Sequence, residues 1–247
     1  MLAMRRSLRF MERSGTAATV EFREGGVEGV DAIRRALDGV DVEATVLGRE
    51  TTAAMQAADG FGASGARDDD FAERRRATRE VGKPFGIHAG ERDPHDLTPA
   101  LDLDPTFLVH VVHPDPEHLD RIEREDVPVV CPRSNLVTGV GTPPIADLLD
   151  RTTVALGTDN VMLNSPSMFR EMEIAAKVGR VDAVDVLRMA TLNGAELVGL
   201  NCGLIEPGRA AKLLVLDGDS DNLAGARDPV RAVVRRASVD DVERVVL

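Results

Sequence analysis

The chain has 247 residues, enough to bury the core of one large α/β domain, and carries 42 acidic against 30 basic side chains for a net charge of −12. That balance argues against nucleic-acid binding, which needs a basic surface. No apolar run reaches the roughly 18 residues of a membrane span, and Arg5 and Arg6 interrupt the first residues before a signal-peptide core can form, so a cytoplasmic protein without a membrane partner is expected. Cys131 and Cys202 are too far apart in sequence to form a zinc motif, and two cysteines make no disulfide framework. Lysine occurs only at positions 83, 177 and 212. An acidic, lysine-poor composition of this kind resembles proteins of salt-accumulating halophiles, where ionic strength screens self-repulsion.

In chain order, residues 4–13 pattern as an amphipathic helix closed by Ser14-Gly15. A strand is expected at 16–22, a loop at 23–26, and a helix marked by Val30, Ile33 and Leu37. Strands follow at 44–47 and, more weakly, at the glycine-rich 60–64. Asp68-Asp69-Asp70 is expected to cap a helix running to about Val81. Four apolar runs then end at His88, His110, Cys131 and Asp159. Asp115-Pro116 opens a helix, residues 144–149 supply a short one, and 168–177 and 183–198 read as helices. Strand alternating with helix at this spacing predicts a parallel sheet. Seven strands fit a (β/α)8 barrel lacking its first strand better than an open sheet. From Asn201 the chain becomes turn-rich, with strands expected at 212–216, 230–235 and 242–247. The expected division is an incomplete barrel over 1–200 and a small β element over 201–247.

All five histidines lie between His88 and His118. In His88-Ala89-Gly90-Glu91 an imidazole at a strand end is followed by a carboxylate able to reach a bound water or a substrate nitrogen. A lone histidine of this kind is ordinarily a satisfied core residue. Facing alternates along a strand, so His110 and His113 cannot both point inward unless the strand ends between them. His110 is the inward candidate and His113 a loop-orienting one. His95 and His118 are expected at the surface. Asp159, closing Gly157-Thr158-Asp159, has a metal-binding or basic role as one reading and an Asx turn as the other. Imidazole plus carboxylate, then imidazole, then aspartate, on three strand ends of one barrel, shifts the balance towards a site. Cys131 is expected to be a buried small hydrophobe. Arg23, Arg49 and Arg133 stand near strand ends, where a guanidinium can grip a carboxylate or phosphate.

Taken together, HAGE, the LVHVVH run, CPRSN, ALGTDN and GLIEPGRAAKLLVLD resemble the metal-dependent amidohydrolase superfamily, in the branch of cytosine deaminase and S-adenosylhomocysteine deaminase. The likeness runs in order along nearly the whole chain. It implies that His88 and Asp159 ligate one divalent metal ion, zinc first, with iron or manganese as alternatives. It further implies that Glu91 shuttles a proton to the leaving nitrogen, that His110 positions water and substrate, that Asp159 also serves as base, and that Asn135 and Arg133 shape the substrate pocket. The implied reaction is hydrolysis of a C–N bond in a small molecule, as deamination of a purine- or pyrimidine-type ring. Cyclic-amide hydrolysis of the imidazolonepropionase kind is the alternative within the class. No lysine sits at a strand end suited to carbamylation and two bridged metals, which favours one ion.

Members of this superfamily carry an H-x-H pair on the first barrel strand, and this sequence contains none. The chain is therefore expected to begin after that strand, as a truncated enzyme or as a non-catalytic paralogue serving as a binding or oligomerisation unit. A homo-oligomer is left open.

Overall fold

In the computed structural model, which describes residues 2–125 and 127–247, seven parallel strands lie side by side in chain order. They are β1 (Ala18–Arg23), β2 (Glu43–Gly48), β3 (Gly60–Gly65), β4 (Phe85–Ala89), β5 (Phe107–His110), β6 (Val127–Val130) and β7 (Ala155–Leu156). Helix α1 (Leu2–Arg13) precedes them, and α2 (Gly26–Leu37), α3 (Thr52–Ala57), α4 (Ala72–Glu80), α5 (Leu97–Asp102), α6 (Pro116–Glu125), α7 (Pro132–Thr138) and α8 (Ile145–Leu149) fill the crossovers. After β7 come α9 (Met168–Val178), α10 (Ala183–Ala190) and α11 (Leu192–Leu197). Each parallel neighbour needs a crossover, and the intervening helices cover the outer face of the sheet. No pairing joins β1 to β7, so the sheet is an open, strongly curled barrel short of one strand.

The two faces of the strands separate cleanly. Phe61, Ala63, Phe85, Ile87, Ala89 and Leu108 pack outward with the helices in the main apolar cluster. Val20, Phe22, Leu47, Phe107, Val109, Val127 and Val129 form the inner one. Glycines on β3 and β4 make room there for two rings. A Cβ on Gly62 would stand 2.4 Å from the Phe22 ring, and one on Gly86 would stand 2.3 Å from the Phe107 ring. Those rings meet edge to face at 6.0 Å, and the Phe22 ring also lies 4.5 Å from the ring of His88. The barrel floor beneath the histidines is thus two aromatic rings set into glycine recesses.

The tail holds a two-stranded antiparallel sheet, β8 (Leu213–Leu216) with β9 (Val242–Val246). Between them, residues 229–236 form a helix, α12 (Pro229–Arg236), where the valine-rich run led us to expect a strand. The local signals explain the difference. Asp228 accepts a hydrogen bond from the Arg231 amide at 3.0 Å, Pro229 occupies the first turn, and Ala232 and Val234 are buried. Capping chemistry and packing on α9 and α10 outweigh the β propensity of valine. Buried Asp241 ties this region together, accepting from Ser220 Oγ (2.7 Å), Asn222 Nδ2 (3.0 Å) and the Ser238 amide (2.7 Å).

Two other expectations need correction. The helix read over 183–198 breaks at Thr191 into α10 and α11, and Asn193 there donates to the Val154 carbonyl at 2.8 Å. His118 is buried, not surface-exposed: its ring accepts from the Asp115 amide at 3.1 Å and meets Thr98 Oγ1 at 3.0 Å, fastening the start of α6 to α5. His95 does lie at the surface, beside Asp93 at 2.9 Å. Among the described residues, no helix is long and apolar enough to cross a membrane.

Candidate active site

At the C-terminal rim of the strands a cleft of about 270 Å³ is lined by His88, Glu91, His110 and Asp159 together with Arg49, Ser64, Asp68, Asn160 and Leu163. Parallel-sheet enzymes place their chemistry at this rim because the strand-to-helix loops converge there. His88 stands on β4, facing inward from between the outward-packed Ile87 and Ala89. Its Nδ1–H donates to the Ala63 carbonyl at 2.8 Å, which fixes the tautomer and leaves the Nε2 lone pair free. Glu91 follows on a turn held by Asp96, whose carboxylate accepts from the Gly90 amide at 2.8 Å.

His110 reaches the cleft by a break in the strand. Phe107 and Val109 face inward and Leu108 outward, so strict alternation would send His110 out among the helices. Instead His110 and Val111 both adopt left-handed backbone, at φ 80° and 48°. Such conformations in residues other than glycine cost on the order of 1–3 kcal/mol each and gather at functional sites. The turn brings the His110 ring to 5.4 Å from that of His88 and its Nε2 to 3.8 Å from Glu91 Oε2. Asn135 Nδ2 donates to His110 Nδ1 at 3.1 Å, which places the ring proton on Nε2, towards Glu91. Asp159, also left-handed at φ 54°, accepts from the Ser134 hydroxyl. His113 Nε2 lies 2.7 Å from the Val140 carbonyl and holds the loop after α7.

The electrostatics follow from this crowding. Burial pushes the His88 imidazole down to about 4, helped by neighbouring His110 and opposed by the Ala63 carbonyl and Asp159. Burial also lowers His110, while the charge of Asp159 pulls it back up. The Glu91 carboxyl is raised by burial and by the charge of Asp159, which favours a protonated acid able to give its proton away. Cys131 is buried and its thiol pushed up, so it packs and is no nucleophile. Because His88 is held neutral, its contribution to stability is present above about pH 6.5 and is lost as the pH falls towards 4, by on the order of 3 kcal/mol. Thermal melts of the metal-free chain between pH 7 and 4 should show that loss, and His88→Asn should remove it; an unchanged slope would place the ring in water.

Arg133 lies apart from the cleft. Its guanidinium donates to the Ser165 carbonyl at 3.1 Å and Asn164 Oδ1 at 3.2 Å, and pairs with buried Glu171 at 3.4 Å. Burial pushes the Glu171 carboxyl up to about 7, against the pull of the Arg133 amide and guanidinium. Arg23 pairs with Glu21 at 3.1 Å on β1, whereas Arg49 lines the cleft while paired with Glu24 at 2.7 Å. Lys83 donates to the carbonyls of Met55, Gln56 and Ala58 at 2.6–3.0 Å, capping the end of α3. The sequence marks none of Ser64, Asp68, Leu163 and Glu171 as a residue of the site. Asp68 was read as a helix cap, but it turns back to accept from the Gly65 amide at 2.9 Å beside the cleft. The clearest missed signal was Glu171, an acidic residue between the buried apolar Phe169 and Met172 of α9.

A divalent ion is tested by the donors on offer. The free Nε2 of His88 and the Asp159 carboxylate have the right chemistry, but with Asn135 Nδ2 donating to His110 Nδ1 the remaining ring proton sits on Nε2 and leaves no lone pair there for an ion. Among the described residues no group of three or more His, Cys, Asp or Glu is placed to hold an ion. A catalytic zinc ordinarily keeps about three protein ligands, so the donor type fits and the donor number falls short.

An inward imidazole pair, two carboxylates and a parallel barrel rim define a hydrolase-type site. The sequence profile of the amidohydrolase family matches residues 88–246, and the chain belongs to that family. A putative aminohydrolase of Archaeoglobus fulgidus is 34% identical over 97% of this chain and 70% of its own length. The 5-methylthioadenosine/S-adenosylhomocysteine deaminase of Haloarcula marismortui is 36% identical over 73% of this chain and 45% of its own. In fold, the chain matches atrazine chlorohydrolase from Arthrobacter aurescens TC1 complexed with zinc at a TM-score of 0.84 and 19% identity, over 99% of this chain and 70% of the other.

Proposed function

We propose that this chain carries the proton-handling half of a hydrolytic deaminase acting on a purine- or pyrimidine-type ring. The observation that carries the reading is the 3.8 Å approach of His110 Nε2 to the Glu91 carboxyl in a cleft shared with His88 and Asp159. Glu91, its carboxyl raised, passes a proton to the departing amino nitrogen and takes one back from water. The His110 Nε2–H donates to the oxygen that adds to the ring carbon and orients it. Asp159, oriented by Ser134, accepts the first proton that the attacking water gives up and releases it through solvent to the ring nitrogen, while Glu91 regains its own from the second as the added hydroxyl becomes the carbonyl. His88 and Asp159 would contribute two ligands to one divalent ion, zinc first and iron or manganese next, which would supply Lewis acidity if further ligands completed its shell.

The short donor set favours a second reading, a non-catalytic unit that keeps the fold. Ammonia release from adenosine-type and cytosine-type compounds, measured with metal content per chain, separates the two. Ammonia with about one ion bound supports the deaminase, ring opening without ammonia supports a cyclic amidohydrolase, and neither with any divalent ion added supports the binding unit.

The surface charge adds a second part to the reading. A net charge of −12 repels itself in dilute buffer, and we propose a halophilic protein. The melting temperature should rise between low and multimolar potassium chloride; a flat or falling curve removes the proposal.

A further inference from the structure

Glu171 and Arg133 lie outside the cleft, yet they join the two segments that deliver its groups. Glu171, fully buried on α9, accepts from the Arg133 amide at 2.9 Å in the first turn of α7 and from its guanidinium at 3.4 Å. The next two residues of α7 reach the site, Ser134 bonding Asp159 and Asn135 bonding His110. The same guanidinium holds the Ser165 and Ser167 carbonyls at 3.1 and 3.4 Å and Asn164 Oδ1 at 3.2 Å. That fastens the far end of the loop that begins at left-handed Asp159 and lends Asn160 and Leu163 to the cleft.

We propose that Glu171 and Arg133 are positioning residues that set the ring tautomer of His110 and the orientation of the Asp159 carboxylate. The fork shape of arginine matters, because one side chain must serve a carboxylate, an amide oxygen and two carbonyls at once, and an ammonium on a flexible stem cannot hold that arrangement. Buried ion pairs add little net stability, and replacing both partners by apolar residues is often neutral. This pair is therefore explained by what it holds in place. The inference rests on the deaminase reading for its kinetic consequence but not for its structural one.

The test uses Arg133→Lys, Glu171→Gln and the double variant Arg133→Met with Glu171→Leu. In the unsubstituted chain, nitrogen-15 imidazole spectra should show His110 protonated on Nε2 alone. Each single variant should mix the two tautomers, and turnover should fall about 10- to 100-fold with KM little changed, the range for partners that orient site groups. The double variant should regain the melting temperature while the tautomer mixture and the slow turnover persist. Recovery of turnover together with stability would overturn the proposal, as would single variants that keep a pure Nε2 tautomer while folded. If the unsubstituted chain releases no ammonia, the deaminase reading fails, and the imidazole spectra still decide whether the pair sets the His110 tautomer.

Discussion

Replacing Glu91 by glutamine is expected to lower ammonia release by a factor of roughly 10² to 10⁴ while leaving the melting temperature and the binding of substrate nearly unchanged. Glutamine keeps the size and the polar end of the side chain beside His110 but has no proton to exchange. Glu91 is only half-buried and its carboxyl makes a long 3.8 Å approach, so the fold depends little on it. Its carboxyl, raised by burial and by the charge of Asp159, holds its proton more readily than a free carboxyl does and can deliver it to a leaving group. Steady-state ammonia assays and calorimetry on the same preparation check both halves. Full activity in Glu91→Gln would move the proton shuttle to another group, and a large loss of stability would make the residue structural.

The second expectation concerns the barrel floor. Phe107→Ala should destabilise the chain by about 3–5 kcal/mol, since it empties a buried ring site that Gly86 has no side chain to fill. Gly86→Ala should destabilise by about 1–3 kcal/mol for the opposite reason, a methyl group driven into the same ring. Phe107→Leu trims that ring, so Gly86→Ala combined with it should cost clearly less than the two changes summed. Denaturant melts of the four variants test the recess as a unit. Simple additivity would show that glycine is there for the backbone and not for the ring.

The parts of this molecule that were legible in the sequence are those governed by local periodicity. Apolar runs at strand spacing, and the polar residues that end them, put seven strands in order and set His88, Glu91, His110 and Asp159 at the ends of β4, β5 and β7 on one rim. The valines of 229–236 point to a strand by their β propensity, and only the Asp228-Pro229 cap signals the helix that forms there. His110 reads as the inward histidine because it stands one strand along from His88, but the cause of its turn, two successive left-handed residues, has no local signature in His-Val. Glu171 and Arg133 are 38 residues apart, and nothing in either neighbourhood signals that they meet.

The ladder between β1 and β2 runs through six residue pairs, from Ala18 with Glu43 to Arg23 with Gly48, whereas β6 and β7 share only two. Asp159 follows the short one. What keeps β7 in place is therefore mostly the layer of α9, α10 and α11 behind it, with α12 packed on α9 and α10 in turn. In a molecule whose cooperative units open separately, the Asp159 end of the cleft would belong to the helical layer, and the His88, Glu91 and His110 end to the sheet. A partial opening that freed those helices would dismantle the cleft while most of the barrel remained folded.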